Sequence, residues 1–142
     1  MPDPIPRLAP LVGRWEATAA HPADPTATMR AEVTFEWHEG AFLLQRSVTD
    51  HPDFPDGVMI IGGDDATERF SVCYSDDRGV RRVYEMTVAD GVWRQWRDVA
   101  GFAQRFTGTF SEDGDTVTGA WEMCQDGETW THDFDITYRK VD

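Results

Sequence analysis

The groups in this chain best suited to chemistry are guanidiniums set among phenols and amides. Of its 13 basic residues, only Lys140 is a lysine. Arg46, Arg82 and Arg97 lie in short segments of alternating apolar and polar residues that also carry Tyr74, Tyr84, Gln95, Gln104 and His132. A planar guanidinium offers paired donors to a carboxylate or phosphate, and a neighbouring phenol, amide or imidazole can fix the anion's orientation. That chemistry is recognition of an acid. It becomes a site only if the fold gathers these side chains on one surface.

The elements available to do so are strands. Turn signals punctuate the chain at nearly even spacing: Glu39-Gly40, Asp56-Gly57, Asp64-Asp65, Asp77-Arg78-Gly79, Asp90-Gly91, Ala100-Gly101, Asp113-Gly114 and Asp126-Gly127. Such pairs supply the positive φ that tight hairpins need, so the series predicts consecutive antiparallel strands. The alternating runs between them predict strands at roughly 12–19, 29–37, 41–49, 57–64, 67–75, 80–89, 92–98, 102–110, 115–125 and 128–139. About ten such strands form an up-and-down sheet, and closure into a barrel removes the exposed edges. A barrel of that size can enclose a ligand. Pro4 to Leu11 reads as a short helical turn plugging one end. The longer connections His21–Thr28 and Asp50–Asp56 are candidates for a lid or entrance.

Hairpin register then selects the inner wall. A two-residue turn at Glu39-Gly40 sets Trp37 opposite Phe42 and Val33 opposite Arg46, which turns Arg46 inward. Across Asp90-Gly91, Val88 meets Trp93, Met86 meets Gln95 and Tyr84 meets Arg97. Across Asp126-Gly127, Met123 meets Trp130, Trp121 meets His132 and Gly119 meets Phe134. Phe102, Gln104, Phe106 and Gly108 share a face with Met123, Trp121, Gly119 and Val117. A three-residue turn at 77–79 sets Val72 opposite Tyr84 and Tyr74 opposite Arg82. The predicted inner polar set is Arg46, Tyr74, Arg82, Tyr84, Gln95, Arg97, Gln104 and His132, with no Asp or Glu among them. Inward guanidiniums without carboxylates leave three arrangements: a water-filled cavity, arginines at an open mouth, or an anionic ligand that supplies the missing charge.

Composition bounds the function. The chain has 142 residues, enough for one domain with a real core, and six Trp and eight Phe suit a β-rich interior. Its net charge of −13 argues against nucleic acid or an anionic membrane as partner. No run is apolar enough to span a bilayer, and the N-terminus lacks the pattern of a secretory signal, so a cytoplasmic location is expected. Cys73 and Cys124 have no metal-ligand spacing and read as free thiols. No metal is expected, since His132 and Asp133 would point to opposite faces of one strand.

The segment Leu11-Val12-Gly13-Arg14-Trp15-Glu16 resembles the GxW signature that opens lipocalin-like and fatty-acid-binding-protein-like barrels, the calycins. The stretches Arg105-Phe106-Thr107-Gly108-Thr109-Phe110, Asp113 to Glu122 and Thr137-Tyr138-Arg139-Lys140-Val141 look more specifically like a bacterial family of uncharacterised lipocalin-like barrels. The resemblance covers essentially the whole chain. It implies that Trp15 packs on a basic residue of the last strand, with Arg139 expected first and Lys140 second. The Arg-x-Tyr clamp of fatty-acid-binding proteins is not intact, because Ile136 stands two residues before Tyr138. Nitrobindin-like barrels are also similar and hold haem through a C-terminal histidine, for which His132 has the matching position. The glycine-rich continuation of that family is absent, since Trp15 is followed by Glu16-Ala17-Thr18-Ala19.

The expectation is therefore an all-β protein, a single up-and-down antiparallel barrel over 1–142, that binds a small hydrophobic or amphipathic anionic ligand in its cavity. Arg46, Arg82 and Arg97 would hold the anion, Tyr84, Gln104 and His132 would orient it, and Trp37, Trp93, Phe106 and Trp121 would form the apolar wall. No catalytic residue and no cofactor are assigned. The alternatives are haem held by His132, or a cofactor-free enzyme on a small organic acid with His132 as base near Tyr84. A homodimer through an outer patch such as Leu43, Val83 and Trp96 is the further expectation.

Overall fold

The protein's computed structural model describes residues 5–21, 24–51, 54–63 and 69–141. A 3-10 helix, η1 (Pro6–Leu11), precedes ten strands: β1 (Gly13–His21), β2 (Asp24–His38), β3 (Phe42–Thr49), β4 (Gly57–Gly63), β5 (Phe70–Asp76), β6 (Arg81–Ala89), β7 (Val92–Arg97), β8 (Ala103–Phe110), β9 (Thr116–Cys124) and β10 (Thr131–Lys140). Each strand pairs antiparallel with its sequence neighbours, and β10 returns to β1, closing the barrel. β1 extends to His21 and β2 begins at Asp24, so the expected loop over 21–28 is mostly strand. Its remainder, the Asp64-Asp65 turn and part of the 50–56 connection lie outside the described residues.

One end is plugged by η1. Leu8 and Leu11 are buried, the Trp15 indole N–H donates to the Leu11 carbonyl at 2.9 Å, and the Arg7 guanidinium lies 4.9 Å above the Phe70 ring. Trp15 pairs with Lys140, whose ammonium stands 5.1 Å from the indole. Arg139 pairs with Glu16 and points outward, so Lys140 rather than Arg139 is the Trp15 partner.

The expected register is found across β5–β6, β6–β7 and β8–β9. Across Asp90-Gly91, with φ of 55° and 75°, Met86 pairs with Gln95 and Val88 with Trp93. Across 77–79, Val72 pairs with Tyr84 and Tyr74 with Arg82. Phe106 pairs with Trp121 and Gly108 with Gly119.

Two expectations fail by register. Glu39 and Gly40 form the expected turn, with φ of 55° and 63°, but Ala41 bulges and His38 pairs with Phe42. A one-residue slip exchanges every side chain between faces. Leu43 becomes fully buried beside Ile61, Gln45 is buried, and Arg46 is exposed on the outer wall. The slip removes a guanidinium from an apolar interior, which is costly to charge without a partner. At the other hairpin, the Asp126 carboxylate accepts the backbone N–H of Glu128 and of Thr129 at 2.9 and 2.7 Å, which lengthens the loop. Thr131 then pairs with Met123, a bulge follows, and Phe134 rather than His132 meets Trp121. His132 points outward, exposed, with its Nε2 2.8 Å from Asp135 Oδ1.

Candidate functional site

Aromatic side chains fill the interior from wall to wall. Trp93 on β7 touches Phe35 on β2 at 6.0 Å, Phe106 on β8 at 4.7 Å and Tyr138 on β10 at 5.4 Å between ring centroids. Gln95 is buried with them: its amide oxygen accepts the Trp93 indole N–H at 3.3 Å, and its amide nitrogen lies 3.5 Å from Met59 Sδ. Burial holds the Tyr138 phenol well above its ordinary pKa. Among the described residues, every buried side-chain nitrogen and oxygen has a partner. Trp93 and Phe106 are therefore core, and half-buried Trp37 sits at the η1 end.

The opposite end, the mouth, carries the turns at 77–80, 98–102 and 125–130. Here strand pairing brings Arg82, Tyr84, Arg97, Gln104 and Trp121 to one inner surface. The Tyr84 hydroxyl donates to Gln104 Oε1 at 2.7 Å, and both residues are buried. Arg82 is half-buried, its guanidinium 5.1 Å from the Phe102 ring. Arg97 pairs with Gln104 and is also half-buried. Burial raises the Tyr84 pKa, while the Arg82, Arg97 and Arg78 guanidiniums oppose that rise. Three positive groups thus converge on one phenol.

A carboxylate sits there as well, which the sequence reading missed. Asp76 continues the inward series of Phe70, Val72 and Tyr74, and its side chain has no exposed surface. It accepts the Tyr74 hydroxyl at 2.6 Å, the Arg78 guanidinium at 2.7 Å and the Arg78 backbone N–H at 3.0 Å. The Arg78 guanidinium keeps the Asp76 carboxyl well below the usual carboxylate range, against the effect of burial. Burial and then the Asp76 hydrogen bond hold the Tyr74 phenol well above its usual range. Asp76 neutralises Arg78 and organises the β5–β6 turn, leaving Arg82 and Arg97 with no carboxylate partner among the described residues. Gly57 leaves room for the Tyr74 ring, since a Cβ there would stand 3.2 Å from Tyr74 Cε2.

Of the ten expected ligand-binding residues, the mouth gathers five. Arg46 and His132 are on the outer wall, Trp37 is at the far end, and Trp93 and Phe106 are packed centrally. An imidazole on the outer wall cannot ligate an iron inside the barrel or act as base beside Tyr84. Tyr74, Phe102 and Phe134 complete the mouth. Trp121 stands between Tyr84 and Phe134, at centroid distances of 5.8 and 6.4 Å.

No protein-family model and no curated protein matches the chain. Among solved structures, that of Rv2717c from M. tuberculosis matches with a TM-score of 0.70 at 14% identity, covering 97% of this chain and 99% of that one. That likeness extends over both barrels end to end and establishes a shared fold.

Proposed function

We propose that this calycin-type barrel binds a small amphipathic anion at its mouth rather than in a deep central cavity. One observation carries the reading: Arg82 and Arg97 are half-buried on the inner face beside Tyr84 and Gln104, with no carboxylate among the described residues to neutralise them. An anion would take donors from both guanidiniums while its apolar part rests on Trp121, Phe134 and Phe102. Charge-assisted hydrogen bonds of this kind contribute about 1.5–3 kcal/mol each. The surrounding charge of −13 would repel the same ligand at a distance, so affinity must come from contact at the mouth.

The same geometry favours a carrier over an enzyme. Asp76 is held as a stable anion by Arg78 and Tyr74, and burial raises the pKa of the Tyr74 and Tyr84 phenols, which keeps both protonated. None of the three is poised to move a proton near pH 7.

Calorimetric titration with naphthoate and decanoate, against uncharged naphthalenemethanol, tests the proposal. Both acids should bind, the alcohol should bind at least tenfold more weakly, and Arg97→Met should weaken acid binding by about tenfold or more. Equal binding of acid and alcohol, or an Arg97→Met variant with unchanged affinity, would remove the anion from the reading.

A further inference from the structure

The donors at the mouth outnumber the oxygens of a carboxylate. Arg82, Arg97 and Gln104 stand on three successive strands, β6, β7 and β8, and share the inner surface. The hydrogen bonds around Tyr84 fix which way the Gln104 amide is turned. Burial raises the Tyr84 pKa, and the largest opposing cause is hydrogen bonding from the Arg82 guanidinium. The Tyr84 oxygen therefore accepts from Arg82 and sends its own proton to Gln104 Oε1, 2.7 Å away. Turning the amide over would set an N–H donor against that hydroxyl and leave the phenolic proton without its acceptor. Gln104 Nε2 is the end left over. It has no partner among the described residues, where no buried side-chain nitrogen lacks one, so Nε2 faces the open mouth.

The neighbouring acceptors are already occupied. Gln104 Oε1 is taken by Tyr84. Asp76 Oδ2 takes the Tyr74 hydroxyl and the Arg78 guanidinium, while Oδ1 takes the backbone N–H of Arg78 and, at 3.4 Å, of Val80. That side chain has no exposed surface to offer a ligand. Two guanidiniums and one amide remain, all of them donors. A head group that brings only acceptors satisfies such a set, whereas one with its own O–H or N–H brings a donor that nothing receives. A carboxylate has two oxygens, and the two guanidiniums take both, leaving Gln104 Nε2 to water. A sulfonate or sulfate ester has three, none of them protonated near neutral pH. A phosphate monoester also has three, but it brings either a P–OH or a second negative charge to a chain of net charge −13. We propose that the mouth selects an aromatic sulfonate or sulfate ester, and that Gln104 is the residue that distinguishes three oxygens from two. This rests on the anion site proposed above and names the class of its ligand.

Calorimetric titration at one neutral pH with naphthalenesulfonate, naphthoate and naphthyl phosphate tests it, since the three differ only in the head group. The sulfonate should bind about fivefold or more tighter than either of the others, the gain expected of one added hydrogen bond to an anion. This ranking is read on the parent protein and needs no variant. Gln104→Leu, combined with Tyr84→Phe so that neither buried partner is orphaned, should then bring the ratio of sulfonate to carboxylate affinity close to one. Any general weakening of the site in that double variant moves both ligands together and leaves the ratio unchanged. Naphthoate or naphthyl phosphate bound as tightly as the sulfonate by the parent would overturn the selection and leave the anion site standing. A ratio that survives the double variant would do the same for the role of Gln104. If none of the three ligands binds, or if Arg97→Met binds all of them as the parent does, the anion site itself falls and this inference with it.

Discussion

Phe106 lies against the β8–β9 wall only because two glycines let it. A Cβ at position 119 would stand 2.6 Å from Phe106 Cε1, 2.8 Å from its Cζ and 2.9 Å from the Thr107 carbonyl oxygen. Ordinary carbon contacts begin near ~3.5 Å, so Gly119→Ala is short by about 1 Å. The ring cannot retreat easily, because Trp93 and Trp121 flank it at 4.7 and 5.3 Å, and the carbonyl belongs to a paired strand. Over-packing of this kind costs about 1–3 kcal/mol, partly offset by the roughly 0.5–1 kcal/mol that alanine gains over glycine in a strand. A net loss of about 1–2 kcal/mol lowers the thermal midpoint by roughly 3–7 °C for a domain of this length. Unfolding followed by tryptophan fluorescence reads it directly. Phe106→Leu in the same chain frees the space, so the double variant should be more stable than the sum of the singles by about 1 kcal/mol or more. A Gly119→Ala variant as stable as the parent, or strict additivity, would mean that the ring does not lie on this wall and that the packed centre is described wrongly.

Three further perturbations read other parts of the barrel. Tyr84→Phe leaves Gln104 Oε1 buried without its donor and should cost about 1–2 kcal/mol in urea unfolding, recovered in part by Gln104→Leu on the same background. Asp76 has its pKa lowered by folding, so its contribution is complete above the unfolded value near ~3.9 and is lost as pH falls below it. Asp76→Asn should therefore be clearly less stable than the parent at neutral pH, and the gap should narrow at pH values below about 4; an equal gap at both would exclude the Arg78 pairing as its source. Lys140→Met should remove the cation above Trp15 at a cost of about 0.5–1 kcal/mol and shift tryptophan emission, whereas Arg139→Met on the outer wall should change neither.

Strand number, closure and the inner face of β5 to β9 were legible because their turns admit few backbone solutions. Asp90-Gly91 needs two consecutive positive φ angles, and that turn fixes every pair on β6 and β7 behind it. Glu39-Gly40 makes the same turn, yet Ala41 bulges where Val92 does not. The turn dipeptide cannot carry that difference, because the competing energies lie several residues away: Leu43 gains burial and Arg46 regains water. A signal was present in the sequence, since an inward Arg46 had no inward carboxylate to meet. The β9–β10 hairpin misleads for a local reason, as Asp126 spends its carboxylate on the N–H groups of Glu128 and Thr129 instead of closing a two-residue turn. Asp76 was overlooked because the expected strand over 67–75 stops one residue short of it, before the Asp77-Arg78-Gly79 turn. The alternation of Phe70, Val72, Tyr74 and Asp76 carries it inward all the same.

These corrections change what the barrel can do more than how it is built. With Arg46 and His132 outside, the inner wall keeps Arg82 and Arg97, which have no carboxylate partner among the described residues, both at one end, and loses the imidazole that a porphyrin or a base-catalysed reaction would have used. With Leu43 inside, the outer apolar row shifts to Leu44, Ile60, Cys73 and Val83. One bulged alanine therefore sets the composition of two surfaces. Deleting Ala41 tests that coupling: Glu39-Gly40 can then close as the two-residue turn that Asp90-Gly91 makes, with His38 still paired to Phe42, Leu43 still inside and Arg46 still outside. The deletion should therefore cost no more than about 1 kcal/mol, whereas Leu43→Ala should cost about 2–5 kcal/mol in the same unfolding assay. A deletion variant destabilised as much as Leu43→Ala would show that the bulged residue itself, and not the side chains behind it, holds the register of β2 and β3.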